Sequence, residues 1–160
     1  MPGMDLRARA SWIAGEWKGV KRLWLMPEDP VRESEATASL ELVAGGGFAA
    51  IRYTWSHEDR PHDGLLVVRL AEAPGDEDMV WVDSFHTGGS FMRFGGVESP
   101  ATELVGQGTY AAPPGPDWGW RIALAAESLD GLRILMHNIT PAGEESKAVQ
   151  LELRRANATE

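Results

Sequence analysis

Asp83 is the one acidic residue closing the apolar run Met79-Val80-Trp81-Val82, and His86 follows three residues later. A carboxylate on an inner face must be paired or hydrated. A histidine beside it suits acid–base chemistry, because small environmental changes carry its pKa across the neutral range. Arg52, Arg93 and Arg121 are available to pair with an inward Asp83; the alternative is that Asp83 faces solvent. His137, in Leu135-Met136-His137-Asn138, is a second histidine in apolar sequence. His86, His137 and Asp83 are therefore acid–base candidates for an unspecified reaction. His57 and His62 lie in Ser56-His57-Glu58-Asp59-Arg60-Pro61-His62-Asp63, the densest run of nitrogen and oxygen ligands. Pro61 forbids an ordinary helix there, so the pair lacks helical metal-ligand spacing. The run reads as a solvated polar turn, and no metal site and no cofactor are expected.

No stronger catalytic pattern exists. The chain has no Gly-x-Ser-x-Gly elbow, no phosphate-cradling Gly-x-x-x-x-Gly-Lys and no His-Glu-x-x-His. Its seven tryptophans are the more telling feature. Aromatic side chains of this size either fill a core or wall a site for a flat or apolar ligand. Tyr53, Trp55, Trp81, Trp120 and Met136 are the candidate apolar wall. Arg52, Arg121 and His137 are the candidates to orient a polar or acidic end of the ligand.

Composition narrows the partners. The net charge of −9 argues against nucleic acid and anionic membrane, since phosphate binding needs clustered Lys and Arg. There is no cysteine, which excludes disulfides, thiolate metal sites and cysteine nucleophiles. No run approaches the roughly 18 apolar residues that span a bilayer, and no secretory leader is read. The expected location is the cytoplasm, and a homodimer is the partner that a surface role would call for.

The elements that must position these residues are mostly strands. Leu6, Ala10, Ile13, Ala14 and Trp17 suit one face of a short helix, from about Asp5 to Ala14. From Trp17 the period becomes two, with Trp17, Gly19, Lys21 and Leu23 on one side. Turn residues then punctuate the chain: Gly45-Gly46-Gly47, Pro74-Gly75, Gly88-Gly89, Pro113-Pro114-Gly115-Pro116, Asp130-Gly131 and Pro141-Ala142-Gly143. About ten short sequential strands result. Nothing between them is long enough for a crossover helix, so a parallel sheet is disfavoured. Closure into an antiparallel up-and-down barrel, over about 16–155, removes the exposed edges of such a meander. At 160 residues the chain reads as one domain, 1–160.

The ordered set of Gly15-Glu16-Trp17, the Gly-rich hairpin into Phe48, Pro61-His62-Asp63-Gly64, the strand with Asp83, and Trp118-Gly119-Trp120-Arg121 carries a family likeness. The chain resembles a bacterial family of lipocalin-like domains of unknown function, over roughly Trp12 to Arg155. The resemblance implies a calycin-type barrel, like lipocalins and fatty-acid-binding proteins, and no established activity. It also implies a contact between the early Trp17 and a late arginine, Arg154 or Arg155. More loosely the chain is similar to nitrobindin-like haem barrels, which open on the same Gly-x-Trp strand and place an axial histidine in the last strand. Here that strand reads Ala148-Val149-Gln150-Leu151-Glu152-Leu153-Arg154-Arg155, without histidine, so haem is not carried over. The functional expectation is a carrier or sensor of a small apolar or aromatic molecule. An enzyme using the cavity His and Asp groups, and a filled barrel acting through its surface, are the alternatives.

Overall fold

The computed structural model describes residues 5–156. A single turn of helix, α1 (Ala10–Ile13), precedes ten strands: β1 (Gly15–Leu23), β2 (Arg32–Val43), β3 (Phe48–His57), β4 (Arg60–Arg69), β5 (Met79–Asp83), β6 (Met92–Val97), β7 (Glu103–Tyr110), β8 (Trp118–Ser128), β9 (Gly131–Ile139) and β10 (Glu145–Arg155). Each strand pairs antiparallel with its sequence neighbours, and β1 pairs with β10, so the sheet closes into an up-and-down barrel. The closing register runs from Trp17 opposite Arg155 to Leu23 opposite Val149. Gly19 permits it: a Cβ there would lie 1.9 Å from the Glu152 carbonyl oxygen, so only glycine lets β1 approach β10 this closely.

Alternation places one side chain in two inside. Trp17, Leu40, Ile51, Leu66, Ile122, Ile134, Leu151 and Leu153 fill the body of the barrel, each at most 4% exposed. A bulge between Lys147 and Val149 turns both Ala148 and Val149 inward. The short helix expected from about Asp5 to Ala14 is shorter still than its apolar spacing suggests. Residues 6–9 form turns, and only Ala10–Ile13 is helical. The apolar face is nonetheless used, since Leu6, Ala10 and Ile13 are buried. The Leu6 N–H donates to Ala101 O, which holds this segment over the barrel end where β6 and β7 join.

The run Ser56 to Asp63 is not a solvated turn but most of a hairpin. β3 continues to His57, β4 begins at Arg60, and the turn is only Glu58-Asp59, at φ +50° and +63°. Positive φ at both central residues is the two-residue turn whose twist matches a hairpin. Pro61 is tolerated opposite Ser56 because the β4–β5 ladder starts only at Gly64. His62 consequently faces Trp55 across the hairpin, ring to ring at 4.7 Å.

Candidate functional site

The end of the barrel away from α1 is where the polar groups gather. It is formed by the Glu58-Asp59 turn, the β5–β6 link (residues 84–91) and the ends of β7 and β8. Asp83, the last residue of β5, is 2% exposed. Tyr53 donates its hydroxyl to Asp83 Oδ2 at 2.6 Å, and Trp81 Nε1–H donates to that same tyrosine oxygen at 2.7 Å. The other carboxylate oxygen, Oδ1, accepts the backbone N–H of Phe85 at 2.7 Å and of His86 at 2.9 Å. Asp83 is thus satisfied by a tyrosine and by the turn it initiates, and none of the three arginines reaches it. Gly64 makes this possible, since a Cβ at that position would sit 2.2 Å from the Tyr53 hydroxyl oxygen. Burial pushes the Asp83 carboxyl up, but the Tyr53 bond and the nearby His86 and Lys21 outweigh it and hold the carboxyl below its ordinary value. Tyr53 moves well above 10, through burial first and then the neighbouring Asp83 charge.

Lys21 is the buried cation of this end. Its side chain points inward from β1, 1% exposed, and its ammonium lies 3.0 Å from the centroid of the Trp55 ring. Burial lowers its pKa from 10.5 to about 7, against the opposing pull of Asp83. His86 stands between these groups and the barrel mouth. Its ring lies 5.9 Å from Trp55, 5.6 Å from Trp81 and 5.6 Å from Trp120. Burial, and then the Lys21 charge, lower its pKa to about 3, so at neutral pH the imidazole is uncharged. His86 Nε2 and Trp120 Nε1 are both buried without a hydrogen-bond partner. Both residues line a cavity of about 560 Å³ at this end, with Trp81, Met92 and Tyr110 as further wall and Phe91 among the lining residues. Phe91 itself is 70% exposed.

The structure brings Tyr53, Trp55, Trp81, Trp120 and Met136 together inside the barrel. Of these, Trp81 and Trp120 reach the end cavity; Tyr53, Trp55 and Met136 belong to the packed interior around it. Arg52, Arg121 and His137 are not brought to it. Arg52 is exposed on the outer face of β3. Arg121 lies on the outer face of β8, ion-paired with Glu145. His137 is opposite Arg121 on β9, lowered in pKa by partial burial and then by that arginine. The acid–base set is divided in the same way: Asp83 and His86 adjoin, and His137 is outside. The last strand presents Ala148, Val149, Leu151 and Leu153 to the interior, so the axial position of the nitrobindin-like barrels is aliphatic and the residues do not fit haem held that way.

Lys21 is not among the residues expected at the site, although the alternation of Trp17, Gly19 and Leu23 along β1 places it on the inner face. The Tyr53 hydroxyl is the keystone of the polar chain. Tyr53→Phe leaves both Asp83 Oδ2 and Trp81 Nε1 unpartnered, and is expected to cost roughly 2–4 kcal/mol in a urea melt. A loss below ~0.5 kcal/mol would mean that the three groups are not linked.

The sequence matches the family described as "Protein of unknown function (DUF1579)" over residues 7–155. The chain belongs to that family. No curated protein matches it. Among solved structures, this DUF1579 chain is similar to the crystal structure of Rv2717c from M. tuberculosis, at 13% identity and a TM-score of 0.64, over 98% of this chain and 100% of that one. At that identity the likeness is one of fold. No helix among the described residues is long and apolar enough to cross a membrane.

Proposed function

We propose that this lipocalin-like barrel is a carrier or sensor that binds a small apolar or aromatic molecule in its end cavity, in the cytoplasm. The observation that carries the reading is the end cavity itself, where the rings of Trp81, Phe91, Tyr110 and Trp120 meet the polar side chains of His86, Thr87, Ser90 and Thr109. The cavity volume, about 560 Å³, lies in the range of small-molecule sites, and its wall combines aromatic rings with hydroxyl and imidazole groups that can orient a ligand. The body of the barrel is packed, so the ligand occupies the end and not the centre.

Titration with apolar fluorophores and fatty acids, read by tryptophan emission, tests this. Wild type is expected to show saturable quenching with at least one probe, because Trp81 and Trp120 wall the cavity. Trp120→Ala is expected to weaken it by tenfold or more, about 1.4 kcal/mol. If no probe gives a saturable change, the cavity is not a ligand site and the barrel acts through its surface. Hemin belongs in the panel: a Soret band saturating at one per chain and lost in His86→Ala would replace the proposed ligand class.

A further inference from the structure

We propose that the outer face of β3, β4 and β5 is a two-fold interface between copies of this chain, centred on Leu65 and Val82 and keyed by Arg52 of one copy against Asp63 of the other. The ladders define the face. Leu66, Val68, Met79 and Trp81 are buried inside the barrel, so Leu65, Val67, Val80 and Val82 alternate to the outside. Leu65 pairs with Val82 and Val67 with Val80, which makes a block of four branched apolar side chains, all half-buried. Ala50 extends the block on β3, opposite Val67. The wall running from β10 through β1 to β2 is different, with Glu16, Lys18, Glu35, Glu41, Glu152 and Arg154 exposed along it. A contiguous apolar face beside charged ones marks an association site. Closure of the barrel leaves no strand edge for a partner to extend, so a partner must meet a face.

The charges on this face choose the partner. Arg52 stands opposite Leu65 in the ladder, and Asp63, opposite Thr54, stands one outward row nearer the Glu58-Asp59 turn. Both are exposed, and neither has an ion-pair partner among the described residues. Arg22, Arg93, Arg121 and Arg133, by contrast, each have a glutamate. One unpaired cation and one unpaired anion beside an apolar centre make a face complementary to itself, because in a two-fold pair a residue that meets another is met by it in return. Strands about 4.8 Å apart, with outward residues about 6.8 Å apart along each, give the face a rectangular lattice. On that lattice the line bisecting the diagonal from Arg52 to Asp63 crosses the Leu65–Val82 pair. An axis along it sets Arg52 against Asp63 twice and packs Leu65 and Val82 against their own copies. It also brings the level of Val80 against that of Phe91, which is 70% exposed and lies one step beyond the Trp81–Met92 pair. A second copy therefore supplies the apolar centre and both missing charges in the places where they are needed.

Sedimentation velocity of the full chain at neutral pH and low salt tests this. Wild type is expected to be dimeric over most of the range from about 1 to about 200 μM, with monomer appearing only at the dilute end. Arg52→Glu and Asp63→Arg each place like charges at both keyed contacts, and each should raise the dimer dissociation constant about tenfold or more. Mixed in equal amounts, the two variants should associate about as well as wild type. In the mixed pair each reversed charge faces a reversed one, and the two native charges still face each other. A folding defect in either variant would not be repaired by mixing, so the mixture separates an interface from a structural role. Wild type monomeric at every concentration, single variants that dimerise as wild type does, or a mixture no more dimeric than its components would overturn the interface, and assembly beyond the dimer would overturn its two-fold closure. Neither Arg52 nor Asp63 lines the end cavity, so these results leave the small-molecule reading to its own test.

Discussion

Trp17→Ala is expected to destabilise the fold by about 3–5 kcal/mol, the cost of deleting a fully buried large aromatic side chain. Trp17 is 1% exposed at the point where the barrel closes, paired in register with Arg155 on one side and Ala38 on the other. Its Nε1–H donates to Ile13 O at 2.9 Å and so ties α1 to the barrel. The Arg155 guanidinium lies 4.7 Å from the indole centroid, and one of its nitrogens donates to Ala14 O at 2.9 Å. The cation–π contact accounts for about 0.5–2 kcal/mol of the loss, and the remainder is cavity and burial. Of the two terminal arginines it is Arg155 that turns in; Arg154 faces solvent. Urea denaturation reads the effect as a lower midpoint at unchanged slope. A shift within ~0.5 kcal/mol of wild type would mean that the closure is not held by this residue.

The second large effect is a dependence on pH that one lysine creates. Lys21 is a cation whose pKa falls from 10.5 to about 7 on folding, because burial removes its hydration. Between those values the unfolded chain holds a proton that the folded chain lacks, so stability rises with pH across this window. The whole shift corresponds to something on the order of 5 kcal/mol. Tyr53, raised on folding, begins to act with the opposite sign above pH 10, so the interval to read is pH 7 to about 9.5. There wild type is expected to gain on the order of 3 kcal/mol. Lys21→Met should remove most of that gain, since methionine fills similar space without a charge. Parallel rises in the two proteins would show that Lys21 keeps its proton inside the barrel, held by the Trp55 face and Asp83.

The architecture was legible because turn chemistry and period-two alternation are local signals, and ten strands with their order follow from them. The β3–β4 hairpin was partly hidden, since Glu58-Asp59 contains none of the glycine that usually marks a two-residue turn, and Pro61 argues against a strand until its unpaired side is known. The site was less legible. Arg52 and Tyr53, Trp120 and Arg121, and Met136 and His137 are sequence neighbours on strands, so each pair must straddle the sheet. Alternation alone therefore divides that list into an inner apolar half and an outer polar half. Asp83 invited an arginine partner, but its hydrogen bonds come from Tyr53, thirty residues back, and from its own following turn. Nothing local in the sequence encodes the first of these. His86 sits in a link where no periodicity applies, and only the fold shows that its ring turns inward against Trp81 and Trp120.

The indole N–H region of a ¹⁵N-correlated NMR spectrum tests the central claim most directly, because each of the seven tryptophans contributes one resonance. Trp17 and Trp81 donate to Ile13 O and to the Tyr53 hydroxyl, Trp12 is 45% exposed, and Trp120 lines the end cavity while its Nε1 is buried without a partner. On addition of the apolar fluorophore or fatty acid that quenches tryptophan emission most strongly, the Trp120 cross-peak, assigned by its loss in Trp120→Phe, is expected to move furthest and to saturate at one ligand per chain, while Trp12 stays in place. A spectrum in which Trp120 does not move at any concentration, or moves no more than Trp12, would contradict the account.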